Sequence, residues 1–381
     1  MEVRGDYNEK TEEKTYMEGA WVNKHKGKYY LQYSTPGTQF KSYNDGVYVS
    51  NNPLGPFKLA EHNPFAYKPE GFACGAGHGS TFKDKYGNYW HVGTVSISQK
   101  HNFERRISMF PAFFDEDGLL YSSTKYGDYP MIVPDKKITG EEDLFPGFML
   151  LSYNKKVQVS SINDALHPEN MVDEDIRTYW AAESGDTSEY AIIDLGNKYD
   201  VHAVQMNFAE HDANVFGRQK NIYHRYVIES SVDSVFWTKI IDKSKNEYDN
   251  SHDYTPLANS INARYLKISN MEVPGGKFAI SGFRVFGKGE GNLPENVEHF
   301  MADRDTGDRR KVHLSWTKSD NAVGYTISYG SSKNKLYHNY TVYDDTSLTI
   351  NSLSKQLNYC FTIEAFNEQG ITSGKIMVKA D

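Results

Sequence analysis

The chain of 381 residues is long enough for two or three domains, is 38% hydrophobic and 14% aromatic, and carries a formal net charge of −8. No block of lysine or arginine stands out, which argues against nucleic acid and anionic membrane as partners; a neutral ligand such as a glycan fits at least as well. No apolar run reaches about 18 residues, so no membrane span is expected, and Met1-Glu2-Val3-Arg4-Gly5-Asp6 is not a signal peptide.

Aromatic side chains suit a half-buried pleated surface, and no long stretch has helical periodicity, so the expected fold class is all-β. Three hairpins follow in the first region. Trp21 to Tyr30 turns at Lys26-Gly27, Phe82 to Trp90 at Tyr86-Gly87-Asn88, and Phe113 to Tyr121 at Asp115-Glu116-Asp117-Gly118. Glycine beside polar residues supplies the positive φ of tight hairpins. Recurring hairpins suggest a β-propeller, and at about 45–60 residues per blade this region makes two to three blades.

The character changes around Phe145-Pro146-Gly147. The next segment holds Tyr190-Ala191-Ile192-Ile193-Asp194-Leu195-Gly196, Tyr226-Val227-Ile228-Glu229-Ser230-Ser231 and Ile280-Ser281-Gly282-Phe283-Arg284-Val285-Phe286-Gly287. Gly287-Lys288-Gly289-Glu290-Gly291-Asn292 reads as a linker. After it, Leu314-Trp316, Tyr325-Ile327-Tyr329, Leu348-Ile350 and Tyr359-Phe361-Ile363 alternate with the period of sandwich strands. The domains expected are therefore 1–146, 147–288 and 289–381. Cys74 and Cys360 fall in different domains, so no disulfide is expected and the redox compartment stays open.

Met17-Glu18-Gly19-Ala20-Trp21, Lys28-Tyr29-Tyr30-Leu31-Gln32-Tyr33-Ser34 and Gly46-Val47-Tyr48-Val49-Ser50-Asn51-Asn52-Pro53-Leu54-Gly55-Pro56-Phe57 together resemble glycoside hydrolase family 43, the five-bladed β-propeller arabinanases, xylosidases and arabinofuranosidases. From residue type alone, Glu18 reads as an exposed hairpin glutamate. The resemblance makes it the general acid, giving a proton to the leaving oxygen, with Trp21 walling the sugar site. Glu12, Glu13 and Glu70 have no such motif. Gly75-Ala76-Gly77-His78-Gly79-Ser80 resembles the family segment whose histidine, at the channel bottom, helps hold a water-ligated metal, often calcium, or contacts the network that sets the acid's pKa. His91 and His101 lack that setting. In Phe103-Glu104-Arg105-Arg106-Ile107 only one arginine can face inward; Arg106 is favoured as the family's substrate-binding arginine.

The family also needs an aspartate base and an aspartate that positions the acid, both from blades preceding the Glu18 segment. Only Asp6 precedes Glu18, and its surroundings do not resemble the base motif. Inversion needs a carboxylate about 6.5–9.5 Å from the acid on the far side of the sugar. The chain alone is thus expected to be nearly or wholly incompetent, with the base on an N-terminal propeller half from the same gene region.

Ala165 to Trp180, the strands above and Ala263-Arg264-Tyr265-Leu266-Lys267-Ile268 occur in the order of discoidin-like, coagulation factor V/VIII type C, domains. That resemblance implies a jelly-roll sandwich with a structural calcium in the loop of Asp173, Asp175 and Thr178, completed by backbone carbonyls such as that of Asn170. It also puts a sugar site on end loops, where the insertion Phe208 to Tyr223, with His211, Asp212 and Arg218, is the candidate. A lipid-surface role would call for apolar spikes, and Phe216 is the one obvious residue of that kind. Leu353 six residues before Tyr359 resembles the tyrosine corner of a fibronectin type III domain; Trp316 and Tyr359 are read as core, and the domain as spacer or scaffold.

The reading is the C-terminal part of an inverting, arabinofuranosidase- or xylosidase-like glycosidase with two β-sandwich accessory domains, acting on a polysaccharide or oligosaccharide and needing no catalytic cofactor. Such a protein is expected to be secreted, periplasmic or at the cell surface. The alternative is a non-catalytic glycan-binding or adhesion protein with a remnant propeller.

Overall fold

The structure, a computed structural model, describes residues 16–97, 105–214 and 221–381. Among them the fold is built from strands, with 3-10 turns such as Glu141–Leu144 and Pro168–Met171. No described helix is long and apolar enough to cross a membrane. Two compact units form. The first comprises residues up to Pro146 together with Asn292–Asn367 and Ile371–Asp381, and the second comprises Gly147–Gly291 with Glu368–Gly370.

The first unit opens with two four-stranded antiparallel sheets. Strands β1 (Glu18–His25), β2 (Lys28–Thr35), β3 (Asn44–Ser50) and β4 (Lys58–Leu59) form one, in that order. Strands β5 (Cys74–Lys83), β6 (Tyr89–Ser96), β7 (Arg105–Phe114) and β8 (Leu120–Ser122) form the other. The three hairpins read from the sequence are β1–β2, β5–β6 and β7–β8. Their turn glycines, Gly27, Gly87 and Gly118, have φ of +81°, +90° and +78°. Tyr30, Val47, Phe65, Ala76, Phe110 and Leu120 make a common core that holds the two sheets together.

The third sequence segment is a two-layered sandwich within this same unit. One sheet joins Met301–Arg304, Val312–Ser315 and Ser347–Ile350; the other joins His338–Tyr343, Gly324–Gly330, Tyr359–Asn367 and Met377–Ala380. Trp316 and Tyr359 lie in the buried core, as expected, with Leu314, Ile327 and Phe361. The Ser354 amide donates to the Tyr359 hydroxyl at 3.1 Å, closing a corner beside Leu353.

This sandwich does not stand apart from the β7–β8 hairpin. Tyr337 stacks on Tyr121 with centroids 3.8 Å apart and planes 3° from parallel, and its hydroxyl donates to Asp115 at 3.0 Å. Lys335 lies 2.7 Å from Asp117, and the rings of His62 and His338 pack 4.3 Å apart. Aromatic stacking with a partly buried hydrogen bond beside it makes this a structural contact rather than a loose tether. Cys74 and Cys360 are both buried and free.

The second unit is one eight-stranded sheet around a single core. The long strands Tyr190–Phe208 and His252–Glu272 pair along most of their length, with register shifts between Asp194 and Tyr199 and between Val201 and Ala203. Such bulges bend a strand. Ile193 before these shifts, Leu195 within the first, and Val204 and Met206 after them enter one core with Trp180, Leu266 and Phe283. Arg284, buried in this unit, holds Glu174 by two 2.8 Å hydrogen bonds.

Candidate active site

Glu18 begins β1 and pairs with Ser34 of β2, and a register shift follows before Trp21 pairs with Gln32. The bulge is possible because Gly19 adopts φ +63°. A Cβ there would come within 2.7 Å of Ser34 Oγ and 3.3 Å of His78 Cα, so Gly19 also lets the chain crowd its neighbours.

The Glu18 carboxylate is partly exposed. The buried Tyr43 hydroxyl donates to its Oε1 at 2.8 Å, and His78 Nδ1 lies 3.5 Å from its Oε2. Burial, then the bond to Glu18, pushes the Tyr43 phenol well above its ordinary value, while the charge of Arg105 pulls it down. Tyr43 therefore stays a donor to Glu18. His78 is half-exposed and sits at φ +52° between the shifted registers of β5.

Below these two residues lies a group that sequence reasoning missed. Asp45 is fully buried. Its Oδ1 accepts from Ser34 Oγ at 2.5 Å and its Oδ2 from the Gly79 amide at 2.9 Å. Ser34 Oγ in turn accepts from the His78 amide at 2.7 Å. Buried His91, passed over in the sequence, points Nε2 at the Ala76 carbonyl (2.9 Å) and toward Asp45 (3.5 Å). Burial raises the Asp45 carboxyl to about 7, against the hydrogen bonds that lower it. Burial lowers His91 to about 4. In sequence, Asp45-Gly46 has the look of a turn; its pairing with Ser34 places it inside β3. The one available signal was that Val47-Tyr48-Val49 continues it as a strand.

Trp21 keeps its ring partly exposed and donates from Nε1 to the Thr81 carbonyl at 3.0 Å, tying β1 to β5. Arg106 turns its guanidinium to the Arg105 carbonyl at 3.1 Å, whereas the Arg105 charge reaches Tyr43. Glu70 is a buried partner of Lys68, 3.6 Å away. Asp6, Glu12, Glu13 and His101 lie outside the described residues.

In the second unit the Thr178 hydroxyl is surrounded by three acceptors: Asp173 Oδ2 at 2.5 Å, Asp175 O at 3.0 Å and Asn170 O at 3.4 Å. Converging hard oxygens from carboxylate, carbonyl and hydroxyl are the donor set calcium takes, so these residues fit that ion. No group of three or more His, Cys, Asp or Glu poised for a metal occurs among the described residues. In the insertion, His211 Nδ1 meets the Tyr179 hydroxyl at 3.1 Å and Tyr223 lies under Arg225. Phe216 and Arg218 lie outside the described residues.

Comparison with known families and structures bears on both units. Glycosyl hydrolases family 43 matches residues 3–120, and the F5/8 type C domain matches residues 156–281. A solved glycoside hydrolase is 21% identical, with a TM-score of 0.39 over 72% of this chain, which spans 61% of that protein's length. CpGH89CBM32-6, produced by Clostridium perfringens, is 21% identical over 36% of this chain and 99% of its own, at a TM-score of 0.30. Chitosan-binding module 1 of a chitosanase/glucanase from Paenibacillus sp. IK-5 is 23% identical over 36% of this chain and 99% of its own, at 0.31. No curated protein matches the chain. The chain thus carries a glycoside hydrolase family 43 domain followed by an F5/8 type C, discoidin-like domain.

Proposed function

We propose that the protein acts in hydrolysis of a polysaccharide, with Glu18 as proton donor to the leaving oxygen and inversion at the anomeric carbon. The observation that carries this reading is the Glu18 carboxylate, reached by solvent, held by the Tyr43 hydroxyl and flanked by His78 at the head of β1. The substrate proposed first is an α-L-arabinofuranoside, with β-D-xyloside and β-D-galactofuranoside next.

The two opening sheets are assigned as blades of a five-bladed propeller. Trp21 and Arg106 are proposed to contact the sugar, and His78 to hold a metal through the nitrogen turned away from Glu18. Inversion needs a second carboxylate about 6.5–9.5 Å from the acid. Asp45 is not that group, because burial and its bonds to Ser34 and Gly79 keep it from water. A further propeller portion, in the same longer protein or a partner chain, is proposed to supply it.

The Asp173, Asp175 and Thr178 loop is proposed to hold a structural calcium. The domain boundaries at 146/147 and 288/289 mark the glycosidase, discoidin-like and fibronectin type III-like parts, the last supported by its strand pairing and by the Ser354–Tyr359 corner. Polysaccharide substrates place the protein outside the cytoplasm.

The test is hydrolysis of aryl α-L-arabinofuranosides and β-D-xylosides by the chain together with the base-bearing propeller portion, with Glu18 intact and as Glu18→Gln. The variant is expected to lose about a hundredfold or more on substrates with poor leaving groups. It should lose far less on dinitrophenyl glycosides, which need no protonation. Indifference to the substitution would point instead to a glycan-binding protein without turnover.

A further inference from the structure

The outer face of the sheet in the second unit carries a groove of about 570 Å³. Along its strands, Ile193, Leu266 and Ile268 point into the core and are fully buried. The alternate residues Ile192, Asp194, Tyr265 and Lys267 therefore face the other way and line the groove. Such an outer face is ordinarily polar. Here Tyr190, Tyr265 and Trp237 line it as well.

The register fixes how these side chains sit. Lys156 lies opposite Asp194, and Asp194 opposite Tyr265, across three neighbouring strands. One step along, Ile192 faces Lys267, and Lys267 faces Glu229 on a further strand. Four strands give a platform about 14 Å wide. The Trp237 ring is pinned by its Nε1 donating to Ser234 O at 3.2 Å. The Lys267 ammonium sits 5.3 Å from the Tyr190 ring centroid and 6.0 Å from that of Trp237. Arg264 clamps Asp194 with bonds of 2.7 and 2.9 Å and lies over the Tyr265 ring.

Two features define the ligand class. Tyr and Trp present flat apolar faces with polar edges, which suits the C–H face of a sugar ring. The charged residues lining the groove are Lys156, Lys267 and Asp194; Arg264 pairs with Asp194 and Glu229 lies 3.9 Å from Lys267, so positive charge is in excess there on a chain of net charge −8. A cation held among aromatic rings is partly desolvated and favours an anion over water.

We infer that this sheet-face groove binds a short oligosaccharide bearing uronate carboxylates, the rings lying on Trp237 and Tyr265 and the carboxylate on Lys267 and Lys156. None of its described lining residues comes from the Phe208–Tyr223 insertion, and this binding does not rest on the glycosidase reading.

The test is calorimetric titration of the full chain with an α-1,4-linked galacturonate trimer and a glucuronate-bearing xylo-oligosaccharide, with galactotriose as the neutral control. At least one acidic ligand should bind, and galactotriose should bind at least about tenfold more weakly. Trp237→Ala and Lys267→Met should each weaken the acidic ligand by at least about tenfold, with thermal melts confirming that both variants fold. Absence of binding by both acidic ligands, equal affinity for galactotriose, or affinity unchanged in both folded variants overturns the proposal.

Discussion

Ser34 Oγ and Asp45 Oδ1 lie 2.5 Å apart in the interior of the first unit, and the same hydroxyl accepts the His78 amide at 2.7 Å. One buried carboxylate thereby anchors both sides of the candidate site. It holds the strand that pairs with Glu18, and through Gly79 it holds the irregular stretch of β5 that carries His78. A Cβ at Gly79 would fall 2.6 Å from Asp45 Oδ2, so this approach requires glycine.

The Asp45–His91 pair predicts two pH slopes of opposite sign. Asp45 is raised from 3.8 to about 7 by burial, so its contribution to stability is complete below about pH 3.8 and is lost as pH rises through about 7. His91 is lowered from 6.5 to about 4, so its contribution is present above 6.5 and is lost as pH falls through about 4. Between these limits the two oppose. On acidification from pH 6.5 to 4, Asp45→Asn should lose stability relative to the parent, and His91→Gln should gain it. Each slope is at most about 1.4 kcal/mol per pH unit. Denaturant melts across that range check it; parallel curves for both variants would refute the pairing.

Tyr43→Phe removes the donor to Glu18 while keeping the ring in place. If Glu18 is the proton donor, kcat should fall about tenfold with KM little changed, because one hydrogen bond is worth roughly 1 kcal/mol or somewhat more when charged. A rise in KM at constant kcat would assign Tyr43 to binding instead.

Tyr337→Ala should destabilise the first unit by about 2–4 kcal/mol, through loss of the stack on Tyr121 and of the hydroxyl donor to Asp115 Oδ2. The transition of the second unit should not move. Calorimetry resolves the two. A variant with both transitions at their parent temperatures would mean that the third segment packs on the hairpin without stabilising it.

Calcium is expected to raise the melting temperature of the second unit and a chelator to lower it, by the mass action of an ion that binds the folded loop. Asp173→Ala, which removes one of the oxygens around Thr178, should abolish the effect. Replacing Arg284 should lower the same transition by about 3–5 kcal/mol, because Glu174 would be left buried without its partner. Calcium-independent melting in the parent protein would remove the ion from the loop.

The hairpins, the change of character near Pro146 and the alternating strands after the glycine linker were legible because they are local. A turn glycine or a period-two pattern depends only on neighbours in the chain. The motifs around Glu18 and His78 singled these two out, and the fold sets them 3.5 Å apart. Asp45 and His91 were not, since what makes them notable is burial against Ser34, Ala76 and Gly79, supplied by residues 11 to 34 positions away. The same holds for the third segment. Its strands were set by their own residues, but its seat on β7–β8 depends on Tyr337 meeting Tyr121 and Asp115 across more than 200 residues. The sheet-face groove likewise exists only through strand register. Sequence by itself thus determined the elements and the carboxylate on the surface of the site. Tertiary structure alone decided which polar groups lost their water, and it is desolvation that turns an ordinary aspartate or histidine into a perturbed one.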